Sequence, residues 1–222
     1  MKQGSYLREL LSLLHFAACE ESNETIERWV NISHFVAHIT EGGEFALDAQ
    51  SIGELDVLLI ALEKEFRDFG SDNSPVDYSL NHYANLSRAW VGQAYELARS
   101  IRQRLSATPK SERKAQISED FLECYRLLEA TRVVLFKREI AGGAKILKTT
   151  PIVLRREGSE ELIPYTHGMS VMAENMKFFP TLGCVGWHVF GAELSETGVI
   201  VSRAELSEKL LIGLEGLNSG AR

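Results

Sequence analysis

His34 and His38 lie four residues apart, a spacing that on a helix turns two imidazoles to one side, where both could bind one metal ion. A metal centre needs further ligands, and no Glu-x-x-His string of the di-iron bundle type accompanies the pair. With Phe35, Val36 and Ile39 beside them, these residues read as hydrogen-bonded structural histidines, and no metal or other cofactor is expected. Cys184 and His188 have the same spacing, but in a segment that reads as a strand. There they would share a face, and Gly183 and Gly186 would admit a close neighbour. The pair is therefore a candidate thiol and base, with a tight buried bend as the plainer reading. Gly168-Met169-Ser170 starts like a nucleophile elbow, but Met172 stands where its last glycine belongs. Gly142-Gly143-Ala144-Lys145 lacks the spacing and the hydroxyl residue of a phosphate-binding loop.

Charge placement is the least random feature. The chain of 222 residues has a net charge of −7. Residues 1–77 hold 5 basic and 15 acidic side chains, residues 78–156 hold 15 and 7, and residues 157–222 hold 4 and 9, giving −10, +8 and −5. Arg99, Arg102, Arg104, Lys110, Arg113 and Lys114 crowd one short stretch, opposed there only by Glu112. Such a surface binds phosphate, in nucleic acid or nucleotide, or it packs on the acidic first 77 residues of its own chain or of a second copy. The second reading explains both signs of charge and is preferred, because charge runs are usually solvated or internally balanced.

Helices must position these groups. Over residues 5–21, Leu7, Leu10, Leu11, Leu14 and Ala18 mark one helical face, and over 24–39 Thr25, Trp29, Ile32, Val36 and Ile39 mark another. Gly42-Gly43 ends that element. Ser51 and Glu54 form a capping-box pattern, so a third helix is expected from there to Gly70, burying Leu55, Leu58, Leu59, Leu62, Phe66 and Phe69. Ser74-Pro75 opens the next. Leu80, Tyr83, Ser87, Trp90, Ala94, Leu97 and Ile101 then step like a heptad seam, as do Ile117, Phe121, Cys124, Leu128, Thr131 and Leu135. Two long helices over 76–106 and 110–141, broken at Thr108-Pro109, make an antiparallel hairpin, with the basic cluster around its tip. Beyond residue 145 the pattern shortens: a β-hairpin around Glu157-Gly158-Ser159, a helix over 169–179 carrying Met169, Met172, Met176 and Phe179, strands at 185–190 and 199–201, and a last helix opened by Ser202 and Glu205.

Two resemblances attach to these strings. Arg28, Asn31 and His34 resemble the loose Arg-x4-6-His motif of HEPN-type helical ribonucleases. The resemblance implies Arg28 as the stabiliser of phosphate charge and His34 as the proton carrier. The run from Trp90 to Arg99, the segment Arg132-Val133-Val134-Leu135-Phe136-Lys137 and Val201-Ser202-Arg203-Ala204-Glu205-Leu206 are similar to strings in uncharacterised bacterial helical proteins. That second resemblance carries no activity; it implies only that the hairpin and the tail belong to one unit.

With 45% hydrophobic and 25% charged residues, the composition excludes a disordered chain. No apolar run reaches a membrane span, and the first apolar stretch is broken by Arg8, Glu9 and His15, unlike a signal peptide. Three scattered cysteines suit a reducing cytoplasm. The expected fold is mainly α: a helical bundle over 1–145 with a long antiparallel hairpin, and a small α+β segment with short antiparallel strands over 146–222 packed on it. The expected function is that of a cytoplasmic interaction protein working through protein–protein contact, as a homodimer through the hairpin, with no evident catalytic site and no membrane partner. The alternative is a HEPN-like ribonuclease or RNA-binding module using Arg28, His34 and the basic hairpin 99–156.

Overall fold

The computed structural model describes residues 6–69, 78–109, 113–137, 153–155, 162–166, 176–189 and 198–219. The described chain is mainly helical: α1 (Tyr6–Glu21), α2 (Asn23–Thr40), α3 (Gly43–Phe69), α4 (Ser79–Ala107), α5 (Glu119–Arg132) and α6 (Arg203–Ser219). A single wider π turn, Val133–Lys137, extends α5. Five strands complete it: β1 (Val153–Arg155), β2 (Leu162–Pro164), β3 (Met176–Phe179), β4 (Cys184–Val189) and β5 (Val199–Ser202).

Helix ends follow local chemistry. After α2 the backbone turns left-handed at Glu41, with φ 55°, and Gly42 follows. α3 then starts at Gly43, eight residues before the expected capping box. Ser51 is an exposed residue inside the helix, since nothing between Gly43 and Ser51 breaks a helix. α4 ends where Thr108 turns extended, with φ −79° and ψ 133°, the conformation a following proline enforces. α5 begins at Glu119, not near residue 110. Ser118 caps it by accepting a hydrogen bond from the Phe121 N–H at 3.2 Å, and Glu119 and Asp120 complement the positive end of the helix dipole. Ser74-Pro75 and Gly142-Gly143 lie outside the described residues.

α4 and α5 form the expected antiparallel hairpin. Arg102 lies over the Tyr125 ring while Arg132 lies over the Tyr95 ring, so contacts run in opposite order along the two helices. The heptad-spaced residues Tyr83, Ser87, Trp90, Ala94, Leu97, Ile101, Phe121, Cys124, Leu128 and Thr131 are all buried within this one chain. The seam expected to meet a second copy is the molecule's own core.

β1 and β2 pair antiparallel, Leu154 opposite Ile163. β3, β4 and β5 make a second antiparallel sheet in that order. Residues 176–179, expected at the end of a helix, are strand β3. Phe178 pairs with Val185 and Phe179 with Cys184, so a cross-strand partner overrides a weak helical period. Residues 167–175, with Met169 and Met172, lie outside the described residues. Ser202 caps α6 as the capping box predicts, its Oγ accepting from the Glu205 N–H at 3.1 Å. One hydrophobic cluster unites the layers: Trp29 and Val36 of α2, Leu59 of α3, Trp90 of α4, Phe121 of α5, Trp187 of β4 and Leu206, Leu210 and Leu214 of α6.

α1 departs from expectation. Leu10, Leu11 and Leu14 are exposed, and of the residues expected on its buried face Ala18 alone is buried among those whose side chains are described.

Candidate functional site

The most concentrated polar chemistry is internal. Arg203, the first residue of α6, is wholly buried, as is Asp56. The Arg203 Nη1 donates to Asp56 Oδ1 at 2.5 Å, and its Nε and Nη2 grip both carboxylate oxygens of the buried Glu63. Other donors finish the cluster. Trp29 Nε1 gives 3.0 Å to Asp56 Oδ2 and Ser207 Oγ gives 2.7 Å to the same oxygen. The Tyr83 hydroxyl donates to Glu63 Oε1 at 2.5 Å and accepts the Val185 N–H at 3.2 Å. Burial and the neighbouring Glu63 push the Tyr83 hydroxyl far up, and the two carboxylates hold the Arg203 guanidinium charged against its desolvation. Two carboxylates and one guanidinium, all buried, bind α2, α3, α4, β4 and α6 together.

Sequence reasoning missed this cluster, although its signal was present. Ile52, Asp56, Leu59, Glu63 and Phe66 step by four and three, so two acids occupy the buried register of α3. A buried carboxylate needs a buried cation, and Arg203 stands first in α6, at the end of a β-strand.

The expected site residues are placed apart. Arg28 faces α6: its Nε and Nη2 hold Glu215 at 2.7 and 3.0 Å, and its Nη1 holds Glu208 at 3.0 Å. These bonds keep its guanidinium firmly charged. His34 is exposed and, at ~100° per residue, sits about 120° around α2 from Arg28. The structure does not bring the two together. His34 and His38 are both exposed. Among the described residues no group of three or more His, Cys, Asp or Glu side chains is placed to hold a metal ion. Cys184 is buried on β4, and four residues of strand carry His188 roughly 13 Å along from it.

The basic stretch is partly balanced inside the chain. Arg99 pairs with Glu96 at 2.7 Å and Arg132 with the same carboxylate at 3.2 Å. Arg113 donates to the Thr108 carbonyl at 2.9 Å. Lys114 reaches Glu41 at the end of α2 at 2.9 Å, which joins the basic tip to the acidic segment. Arg102 covers the Tyr125 ring, Arg104 is exposed, and Lys110 lies outside the described residues.

The open chemistry is on α1. Tyr6, Leu10, Leu11, Leu13, Leu14 and Phe16 are 41–73% exposed. Tyr6, Leu10, Leu13 and Ala17 step by four, three and four, which makes a heptad seam turned to solvent. Among the described residues no helix is long and apolar enough to cross a membrane. Comparison with protein-family models, with curated proteins and with solved structures finds no match to this chain.

Proposed function

We propose that this chain is a cytoplasmic helical interaction protein that acts through protein–protein contact and pairs with a second copy of itself along α1. The observation behind this reading is the exposure of six large apolar side chains on one 16-residue helix. At ~200 Å² for a large side chain, the exposed shares of Tyr6, Leu10, Leu13 and Leu14, which lie on one side of the helix, come to on the order of 500 Å². That is at the upper end of what an ordinary monomer leaves open in one patch. The heptad stepping of Tyr6, Leu10, Leu13 and Ala17 favours a copy of the same helix, since two such seams laid antiparallel interlock with Leu13 and Leu14 near the centre. Such a contact is isologous and closes on itself.

Light scattering after size exclusion tests this. A dimer is expected at micromolar concentration, and Leu10→Glu with Leu13→Glu should convert it to a monomer with unchanged helicity. Each lost leucine contact is worth ~1.5–3 kcal/mol, so association should weaken roughly a hundredfold or more. A strictly monomeric wild type overturns the reading. RNA cleavage abolished by His34→Ala would instead favour the ribonuclease alternative, which the pairing of Arg28 with Glu208 and Glu215 does not support.

A further inference from the structure

The four-residue spacing that separates Cys184 from His188 on a strand brings a different pair into contact on a helix. His15 Nε2 lies 3.6 Å from Cys19 Sγ on α1. The two sit on the side of α1 opposite the exposed seam and line a pocket of about 250 Å³ between α1, α2 and α3. Ile26, Trp29, Val30 and Val57 give it apolar walls beside the polar Gln50 and Glu54, and Gly53 presents no side chain. Cys19 is half-buried and His15 exposed, whereas Cys124 and Cys184 are buried.

We propose that Cys19 is a nucleophilic thiol, with His15 as the base that takes its proton, and that it adds to apolar α,β-unsaturated carbonyl compounds seated in this pocket. The pair supplies all that this addition requires: a nucleophile and a proton carrier. The thiol proton moves to His15 Nε2 and the sulfur forms a bond to the β-carbon. The π pair of the double bond shifts to the α-carbon, and the imidazolium returns the proton there. Sulfur and hydrogen have then added across one double bond, with no leaving group, oxidant or reductant. The apolar walls select compounds with an apolar body, because such a group leaves water as it seats. The other two thiols are internal controls: burial pushes Cys124 up to about 12 and raises Cys184 as well, so neither forms thiolate readily.

N-ethylmaleimide and N-phenylmaleimide, applied to the full chain and followed by peptide mass spectrometry, test the assignment. Cys19 should label far faster than Cys124 and Cys184, and faster than glutathione under the same conditions. His15→Gln, at an exposed position, should slow Cys19 roughly tenfold or more. Val30→Glu, also exposed, should lower the preference for the phenyl reagent over the ethyl one to that shown by glutathione. Labelling of Cys19 at the glutathione rate, or a rate unaffected by His15→Gln, overturns the nucleophile; a wild-type preference for the phenyl reagent no greater than that of glutathione overturns the apolar pocket.

Discussion

At the scale of single residues, the fold depends on groups that composition hides. Asp56 and Glu63 are two of 31 acidic residues, yet each sits in the buried register of α3 with Arg203 between them. Arg203→Met removes the one cation of that pair of ion contacts and leaves two carboxylates uncompensated. Breaking a buried pair in this way costs ~3–5 kcal/mol, and equilibrium urea unfolding should show it. Arg28→Met, whose guanidinium is partly solvated, should cost ~1 kcal/mol or less in the same measurement. Alkali offers a second test. The Cys124 thiol is raised to about 12 by burial, and Tyr83 is raised as well. The folded state therefore keeps protons that the unfolded chain releases above the ordinary thiol range. Stability from these groups is complete below that range and falls as pH rises toward 12, by about 1.4 kcal/mol per pH unit for each proton withheld. Cys124→Ala should flatten the alkaline limb of an unfolding-against-pH curve; an unchanged slope would show that the thiol is not withheld. Little of this was legible beforehand, because a charge in an apolar register looks like a break in the pattern until its counterion, some 140 residues away, is found.

Elements were far more legible than the contacts between them. The steps Trp29, Ile32, Val36 and Ile39, and Tyr83 through Ile101, name buried faces that the structure confirms, because a 3.6-residue period needs only local sequence. Starts and stops were less certain. Ser51 and Glu54 have the capping-box types but no helix break before them, whereas Ser118 and Ser202 follow non-helical chain and do cap. Ser118→Ala and Ser202→Ala should each cost ~1 kcal/mol in thermal or urea unfolding, while Ser51→Ala should be neutral or slightly stabilising. The β3–β4 turn is a sharper case. Gly183 has φ +66°, and a Cβ there would stand 1.9 Å from the Glu63 carbonyl oxygen. The turn therefore lies against the backbone of α3 beside the buried ions. Gly183→Ala combines an unfavourable backbone conformation with a clash that only a shift of the turn relieves, and should destabilise by more than either cap substitution. A sequence reading identifies the glycine and the strand that follows it; it has no access to the helix the turn meets.

For the whole molecule, the question is whether residues 1–145 stand alone beneath a separate segment 146–222. The charge totals of −10, +8 and −5 suggest blocks that meet. Lys114 with Glu41 is such a meeting, whereas Arg28 with Glu208 and Glu215, and Lys209 with Glu123, join blocks against their net signs. Those pairs are exposed or half-exposed and contribute little each; the core decides. Leu206, Leu210, Leu211 and Leu214 of α6 and Trp187 of β4 belong to the same cluster as Trp90, Phe121 and Leu59. At ~1.5–3 kcal/mol for each large apolar side chain, their loss removes as much as a domain's entire net stability, ~5–15 kcal/mol. A fragment of residues 1–145 also lacks Arg203, so Asp56 and Glu63 would face an opened core with no cation between them. The fragment should therefore lose cooperative unfolding, with broad melting by near-ultraviolet circular dichroism and calorimetry, while the full chain melts in one transition. A sharp, reversible transition in the fragment would mean that α1 to α5 carry their own core and that α6 is an addition to it. Restoring residues 146–222 with Arg203→Met separates the two contributions: the apolar surface of α6 returns without the charge, and the size of the remaining deficit measures what the buried ion cluster alone gives to the fold.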